Sequence, residues 1–280
     1  MLLAWDTLAE AVRLLGVTAM GAALGLVLLR ERRIAPFKVA LGGGVLLTCG
    51  SLAMVVATVA PFALRREEPV LPLAVEYLQT TTHGPLLLTP ILPAVYVLLL
   101  LDSLRTAEDP QLRTLLSWLA GGGLFAMGWL IAAGGHVEGG IEARIAMFAQ
   151  VLHVASGLAW VALVASLLPR LVRREPLAII LHRVGGVALG LVIVLVTSGV
   201  VSAWLHGVEL AWLRSESYGQ LLLFKSAVLL LALAAAGWNR FVELRGPLNE
   251  LRLRRVLGGE SVLLLLALWL AAALARTPPP

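Results

Sequence analysis

The chain has 280 residues, of which 59% are hydrophobic and only 14% are charged, and its formal net charge is +5. A soluble domain typically has about 25% charged residues, so this composition excludes a soluble globular protein and indicates an integral membrane protein. The single cysteine, Cys49, excludes a disulfide framework and a CxxC metal or redox pair.

Eight apolar stretches follow one another along the chain, and most reach the ~20 residues that a helix needs to cross a bilayer. They are residues 11–29, 39–64, 84–101, 115–133, 145–168, 184–205, 218–238 and 256–275. Every backbone polar group must be satisfied within its own segment in lipid, so uninterrupted runs of this length predict helices. We therefore predict an all-α integral membrane protein with eight transmembrane helices. In span 2, the run Gly42–Gly44 predicts close helix packing.

Arginine and lysine residues are distributed unequally between the two predicted sides of the membrane. Fifteen follow the odd-numbered spans, and five lie on the opposite side. The fifteen are Arg30, Arg32, Arg33, Lys38, Arg105, Arg113, Arg170, Arg173, Arg174, Arg183, Arg240, Arg245, Arg252, Arg254 and Arg255. This positive-inside bias places both termini outside the cytoplasm. It also accounts for the net charge without a nucleic-acid partner.

Short sequence matches suggest an internal repeat. Residues 82–88 resemble residues 217–223, and Thr48-Cys49-Gly50 in span 2 resembles Thr197-Ser198-Gly199 in span 6. The matches occur in the same order in the two parts of the chain. We predict two parallel four-helix halves, residues 1–135 and 136–280, related by an axis along the membrane normal.

Four of the five histidines, His83, His136, His153 and His206, fall toward the predicted outer side, whereas His182 falls in a basic inner loop. A group of histidines on a wet face is suited to taking up a soluble metal ion or cofactor. His153 lies about 12 Å inside span 5 by helical rise. An unsatisfied polar group is costly there, so His153 needs either a ligand or a structural hydrogen bond to a neighbouring span.

Other polar residues lie within the spans of the second half. One helical face of span 5 carries Gln150, His153, Gly157 and Trp160, at spacings of three, four and three. Lys225 in span 7 and Glu260 in span 8 are ionisable residues within spans and are therefore functional candidates. Glu260 is predicted either to cap an inner exit or to pair with Arg254 or Arg255.

The segment from Tyr218-Gly219 through Lys225 to Trp238-Asn239-Arg240 resembles the signature of the copper resistance protein D (CopD) family. The paired histidines His136 and His153, with Trp160, resemble another region of that family, and so does the stretch leading to Glu260. The resemblance covers residues 136–280, and it implies copper handling in a bacterial inner membrane. It also implies a periplasmic copper-binding partner of the CopC type.

These observations predict a copper transport protein of the bacterial inner membrane that takes copper from the periplasmic side. Imidazole suits copper, and thioether suits Cu(I). The predicted ligands are His153, His136, His206, His83 and Met147, and the supporting polar residues are Gln150, Trp160, Tyr218, Lys225 and Glu260. The sequence contains no Walker loop, GxGxxG or HExxH motif, so we do not expect an enzyme. Two alternatives remain: a haem-b electron-transfer protein, and a non-transporting membrane partner of a copper chaperone.

Overall fold

The computed structural model describes residues 2–29, 35–133, 141–205, 217–243 and 249–277. The elements in these ranges are all helical. Eight helical segments among the described residues are long and apolar enough to cross a membrane, which confirms the predicted fold class. The chain divides into two compact units, Met1–Gly140 and Ile141–Pro280. Whether the two units are repeats of one another stays a prediction.

The first unit contains α1 (Leu2–Leu28), α2 (Pro36–Arg66), α3 (Val70–Thr80), α4 (His83–Leu88), α5 (Ile91–Thr106) and α6 (Pro110–Ala133). Helices α1 and α2 approach each other at glycines. A Cβ on Gly16 would lie 2.5 Å from the Leu47 amide nitrogen, and a Cβ on Gly43 would lie 2.7 Å from the Gly16 carbonyl oxygen. The predicted packing role of the glycine run is therefore confirmed at Gly43. It is wrong for Gly42, where an added Cβ would meet nothing within 4 Å.

Two features of the first unit were not predicted. The short helix α3 lies between spans 2 and 3 and packs through Leu73 against Val59 and Ala63. The third span is not one regular helix but two, α4 and α5, separated at Thr89 and Pro90. Proline has no backbone N–H and clashes with the preceding turn, which accounts for the interruption.

The second unit contains α7 (Ile141–Val172), α8 (Ala178–Leu205), α9 (Ser217–Trp238) and α10 (Glu250–Leu274). A π-helical turn, Asn239–Glu243, follows α9 directly. Helix α7 has 32 residues, which corresponds to about 48 Å against a hydrocarbon core of about 30 Å. The helices of this unit therefore extend beyond the apolar stretches from which they were predicted.

The placement of His182 in a loop is wrong for this reason. Helix α8 begins at Ala178, so His182 lies in its second turn, where it is exposed. The polar residues His182 and Arg183 limit the apolar run in the sequence. It does not end the helix, because the hydrogen-bonded backbone can continue into the headgroup and aqueous regions.

Polar contacts hold together the ends of α7, α8 and α10 that lie away from His153. The Asn249 side chain accepts a hydrogen bond from the Arg252 amide at the start of α10. The Leu177 amide, just before α8, donates to Glu250 Oε1 at 3.2 Å. The Arg254 guanidinium donates to the carbonyl oxygens of Arg170 and Leu171 at the end of α7, at 3.3 and 3.2 Å. Arg254, one of the arginines that indicated topology, thus also contributes to local helix packing.

Candidate functional site

His153 is held against α8 by a hydrogen bond and by close packing. Its Nδ1 atom lies 2.9 Å from the Leu195 carbonyl oxygen. A carbonyl oxygen only accepts, so Nδ1 carries the proton and donates it. The other ring nitrogen, Nε2, then keeps a lone pair, which is the form of imidazole that binds metals. The predicted hydrogen bond to a neighbouring span is therefore present, and it is compatible with ligation at Nε2.

A glycine on α8 makes room for this imidazole. A Cβ added to Gly199 would lie 2.9 Å from both Cε1 and Nδ1 of His153, which is closer than ordinary van der Waals contact. One turn along α7 toward its N-terminus, the Gln150 Oε1 atom accepts a hydrogen bond from Ser202 Oγ at 3.2 Å. The α7–α8 contact thus positions two of the predicted polar residues, Gln150 and His153.

Seven residues further along α7, Trp160 contacts α10. Its indole N–H donates a hydrogen bond to the Glu260 carboxyl. Trp160 is 1% exposed and Glu260 is 4% exposed, so the pair is fully buried. The alternative pairing of Glu260 with Arg254 or Arg255 does not occur among the described residues. Arg254 instead contacts the end of α7 and forms an ion pair with Glu250 at 3.7 Å.

Lys225 on α9 is close enough to His153 for the two side chains to interact electrostatically. Lys225 is partly buried within its helix. A protonated ammonium has no lone pair with which to bind a metal. Lys225 therefore contributes a positive charge near His153. This charge opposes the binding of further positive charge there.

The remaining predicted site residues are more dispersed. Tyr218 lies in the first turn of α9, and His83 begins α4 in the first unit. Met147 precedes His153 by six residues on α7, which places it roughly 120° around the helix at 3.6 residues per turn. His136 and His206 lie outside the described residues. Within the described ranges, no group of three or more His, Cys, Asp or Glu side chains is arranged to hold a metal ion.

The buried methionines of the first unit pack in its core, whereas its cysteine is exposed. Met20, Met54 and Met127 are all fully buried, and Met20 lies against Gly43 of the neighbouring helix. Cys49 is exposed on the surface of α2. This arrangement agrees with methionines filling space in an apolar core.

The sequence reasoning missed a buried ion pair in α1. Arg13 Nη1 lies 2.8 Å from Glu10 Oε2, and the two side chains are only 4% and 5% exposed. Arg13 packs against Gly50, where an added Cβ would lie 2.8 Å from Arg13 Cγ. Two opposite charges three residues apart at the start of an apolar span were the available signal. Gly50 and Gly199 are matching positions of the predicted repeat, so Arg13 has the glycine contact that His153 has in the second unit.

Part of the second unit is similar to a known protein family. The family model described as copper resistance protein D, CopD, matches residues 178–274. No curated protein and no solved structure matches the chain. The matched segment includes Leu195, Gly199, Lys225 and Glu260, whereas α7 with His153 precedes it. The match confirms the predicted resemblance: residues 178–274, in the second unit, are similar to the CopD copper-resistance family.

Proposed function

We propose that this protein is a copper transport protein of the bacterial inner membrane, with a copper site on the second unit. The family match supports a membrane protein related to copper resistance. The eight candidate membrane spans among the described residues support a multi-pass location. Copper is the transported substrate in this proposal, and His153 is its partly buried ligand.

The observation that carries the proposal is the fixed orientation of the His153 ring. The hydrogen bond to the Leu195 carbonyl assigns the proton to Nδ1, and the close contact with Gly199 limits movement of the ring. An imidazole whose second nitrogen donates to a backbone carbonyl is a typical metal ligand, because that bond fixes both tautomer and orientation. Imidazole is also a suitable ligand type for copper.

The chain positions of the other two predicted ligands, next to the described ends of α7 and α8, support a shared site. Helix α7 begins at Ile141, five residues after His136, and α8 ends at Leu205, one residue before His206. Helices α7 and α8 pack against each other along this antiparallel pair. We therefore propose that His136 and His206 capture copper near the membrane surface and that His153 receives it further in.

The proposed direction is import from the periplasmic side. It depends on the positive-inside bias, which places the loops of His136 and His206 outside the cytoplasm. A CopC-type copper-binding protein in the periplasm is the proposed donor. The acidic residues in and next to these two outer connections, Glu138, Glu142, Glu209 and Glu216, would raise the local cation concentration.

A bis-histidine haem site has less support among the described residues. The expected haem partners of His153, His136 and His206, lie outside the described residues, and His182 is the other described histidine of the second unit. It lies 13 residues before Leu195 on α8, which corresponds to about 20 Å. His182 is also exposed, whereas His153 is partly buried. One haem iron cannot be bound by two histidines at that separation.

Copper movement into proteoliposomes tests the proposal. The full-length protein should admit copper, His153→Ala should admit at least tenfold less, and His182→Ala should behave as the unchanged protein. The His182 variant is the matched control because it also removes one imidazole from the second unit. If the unchanged protein binds copper but moves none, the protein is a non-transporting copper partner. A Soret band in the purified protein would favour the haem alternative.

A further inference from the structure

One face of α7 carries a line of polar contacts that leads from His153 toward the interior of the second unit. Gln150 and His153 contact α8, and Trp160 contacts Glu260 on α10. Between them lies Gly157, where an added Cβ would lie 3.4 Å from Leu195 Cδ1. His153 and Trp160 are seven residues apart, so about 10 Å of helix separates them. The proposed copper ligand and the tryptophan that contacts a buried carboxyl therefore share one face of α7.

Among the described residues of the second unit, Glu260 is the only acidic or basic side chain that is fully buried. Its hydrogen-bond partner is the neutral indole of Trp160, and the buried residues one turn away on α10 are Leu257 and Leu264. An ionised carboxylate without a counter-charge is costly in such surroundings. Structural packing alone would be better served by an apolar residue, so the carboxyl requires another explanation.

The charged groups on the neighbouring elements do not neutralise Glu260 among the described residues. Lys225 on α9 interacts with His153. In the π-helical turn, the Arg240 guanidinium lies against Gly185 of α8. Arg254, on α10 itself, is bound by carbonyl oxygens at the end of α7. Glu260 therefore faces a neutral donor and can exchange a proton without breaking an ion pair.

We propose that Glu260 is the proton-carrying residue of the transport cycle and that copper moves inward in exchange for a proton. This inference rests on the proposed transport function. When copper binds at His153, the O–H bond of the Glu260 carboxyl breaks and the proton is released to water on the outer side. When copper departs inward, the carboxylate takes up a proton from the inner side. No electron is transferred in either step.

The rise of about 10 Å along α7 between His153 and Trp160, the hydrogen-bond partner of Glu260, sets the scale of this coupling. A unit charge about 10 Å away in a medium of effective dielectric constant about 20 changes an equilibrium by roughly tenfold. Copper binding at His153 and proton binding at Glu260 should therefore oppose each other by about this factor. Trp160 is the positioning residue, because its indole holds the carboxyl on the face shared with His153.

The test uses full-length protein in proteoliposomes that contain a pH-sensitive dye. Copper is supplied outside, as Cu(I) kept reduced with ascorbate and, in a parallel set, as Cu(II). The unchanged protein should make the lumen more alkaline as copper enters. Glu260→Gln should bind copper as before but lower the proton movement per copper at least tenfold. Glu250→Gln is the matched control on the same helix, and it should keep the ratio of the unchanged protein.

Each outcome bears on the inference separately from the transport function. Copper entry without any pH change in the unchanged protein, or an unaltered proton-to-copper ratio in Glu260→Gln, would overturn the inference and leave transport intact. If Glu260→Gln does not fold, Glu260→Asp must keep the ratio within twofold. If the unchanged protein moves no copper, the proposed function fails. In that case the copper-for-proton exchange fails with it, and equal proton release upon copper binding in detergent by the unchanged protein and Glu260→Gln would separately overturn the coupling of Glu260 to the copper site.

Discussion

Gly199→Ala should damage the proposed copper site without altering any ligand. The added Cβ would lie 2.9 Å from both Cε1 and Nδ1 of His153, whereas ordinary contacts begin near 3.4 Å. The imidazole must therefore move by about half an ångström, which weakens its 2.9 Å hydrogen bond to the Leu195 carbonyl. Over-packing of this kind costs about 1–3 kcal/mol, and the weakened hydrogen bond costs about 1 kcal/mol more.

The loss of ring orientation should also weaken copper binding. Disturbing the partner that orients a ligating histidine typically lowers metal affinity by about 10–100-fold. Thermal unfolding and copper titration of the purified protein in detergent would measure the two effects. Gly190→Ala is the control, because it lies on the same helix and its Cβ would meet nothing within 4 Å. If Gly199→Ala bound copper as tightly as Gly190→Ala, the proposed role of the His153 ring orientation in copper binding would be incorrect.

Three further predictions concern the membrane topology, the stability of the first unit and the copper content of cells that express the protein. A reporter that is active only in the periplasm should work when fused to the C-terminus, and activity of a cytoplasmic reporter there would reverse the proposed direction. Glu10→Gln should destabilise the protein by about 3–5 kcal/mol in chemical denaturation, because it leaves the Arg13 guanidinium buried and unpaired. Asp102→Asn, which removes an exposed ion pair, should cost less than about 1 kcal/mol, and equal effects would contradict this account. Cells that express the protein should accumulate copper. His136→Ala should reduce this accumulation and His182→Ala should not, and equal losses would contradict capture at the outer side.

The fold class was predictable because lipid imposes one strong constraint. A segment that crosses the membrane must satisfy its own backbone, so apolar runs of sufficient length predict helices and their order. The helix ends were less predictable. Apolarity marks the part of a helix that contacts hydrocarbon, whereas α7 and α8 extend into the polar regions. The extra helix α3 depends on tertiary contacts of Leu73 with α2, for which a short segment gives only a weak signal.

The candidate site was predictable along one helix and less so between helices. The spacing of Gln150, His153 and Trp160 placed them on one face of α7, and each contacts a neighbouring helix in the structure. Their partners could not be identified in the same way. The Leu195 carbonyl is a backbone atom with no sequence signature, and the contact between Trp160 and Glu260 depends on how α7 and α10 pack.

The copper content of the purified protein is the decisive measurement for the assignment of His153 as a copper ligand. Elemental analysis of the full-length protein after loading and washing should give about one copper per chain, because the second unit offers an oriented imidazole. In the first unit, Gly50, which matches Gly199 in the predicted repeat, contacts Arg13 instead of a histidine. His153→Ala should lose most of the copper and keep its helical circular dichroism, and His182→Ala should keep both. Unchanged copper content in folded His153→Ala would contradict the assignment of His153 as the partly buried copper ligand.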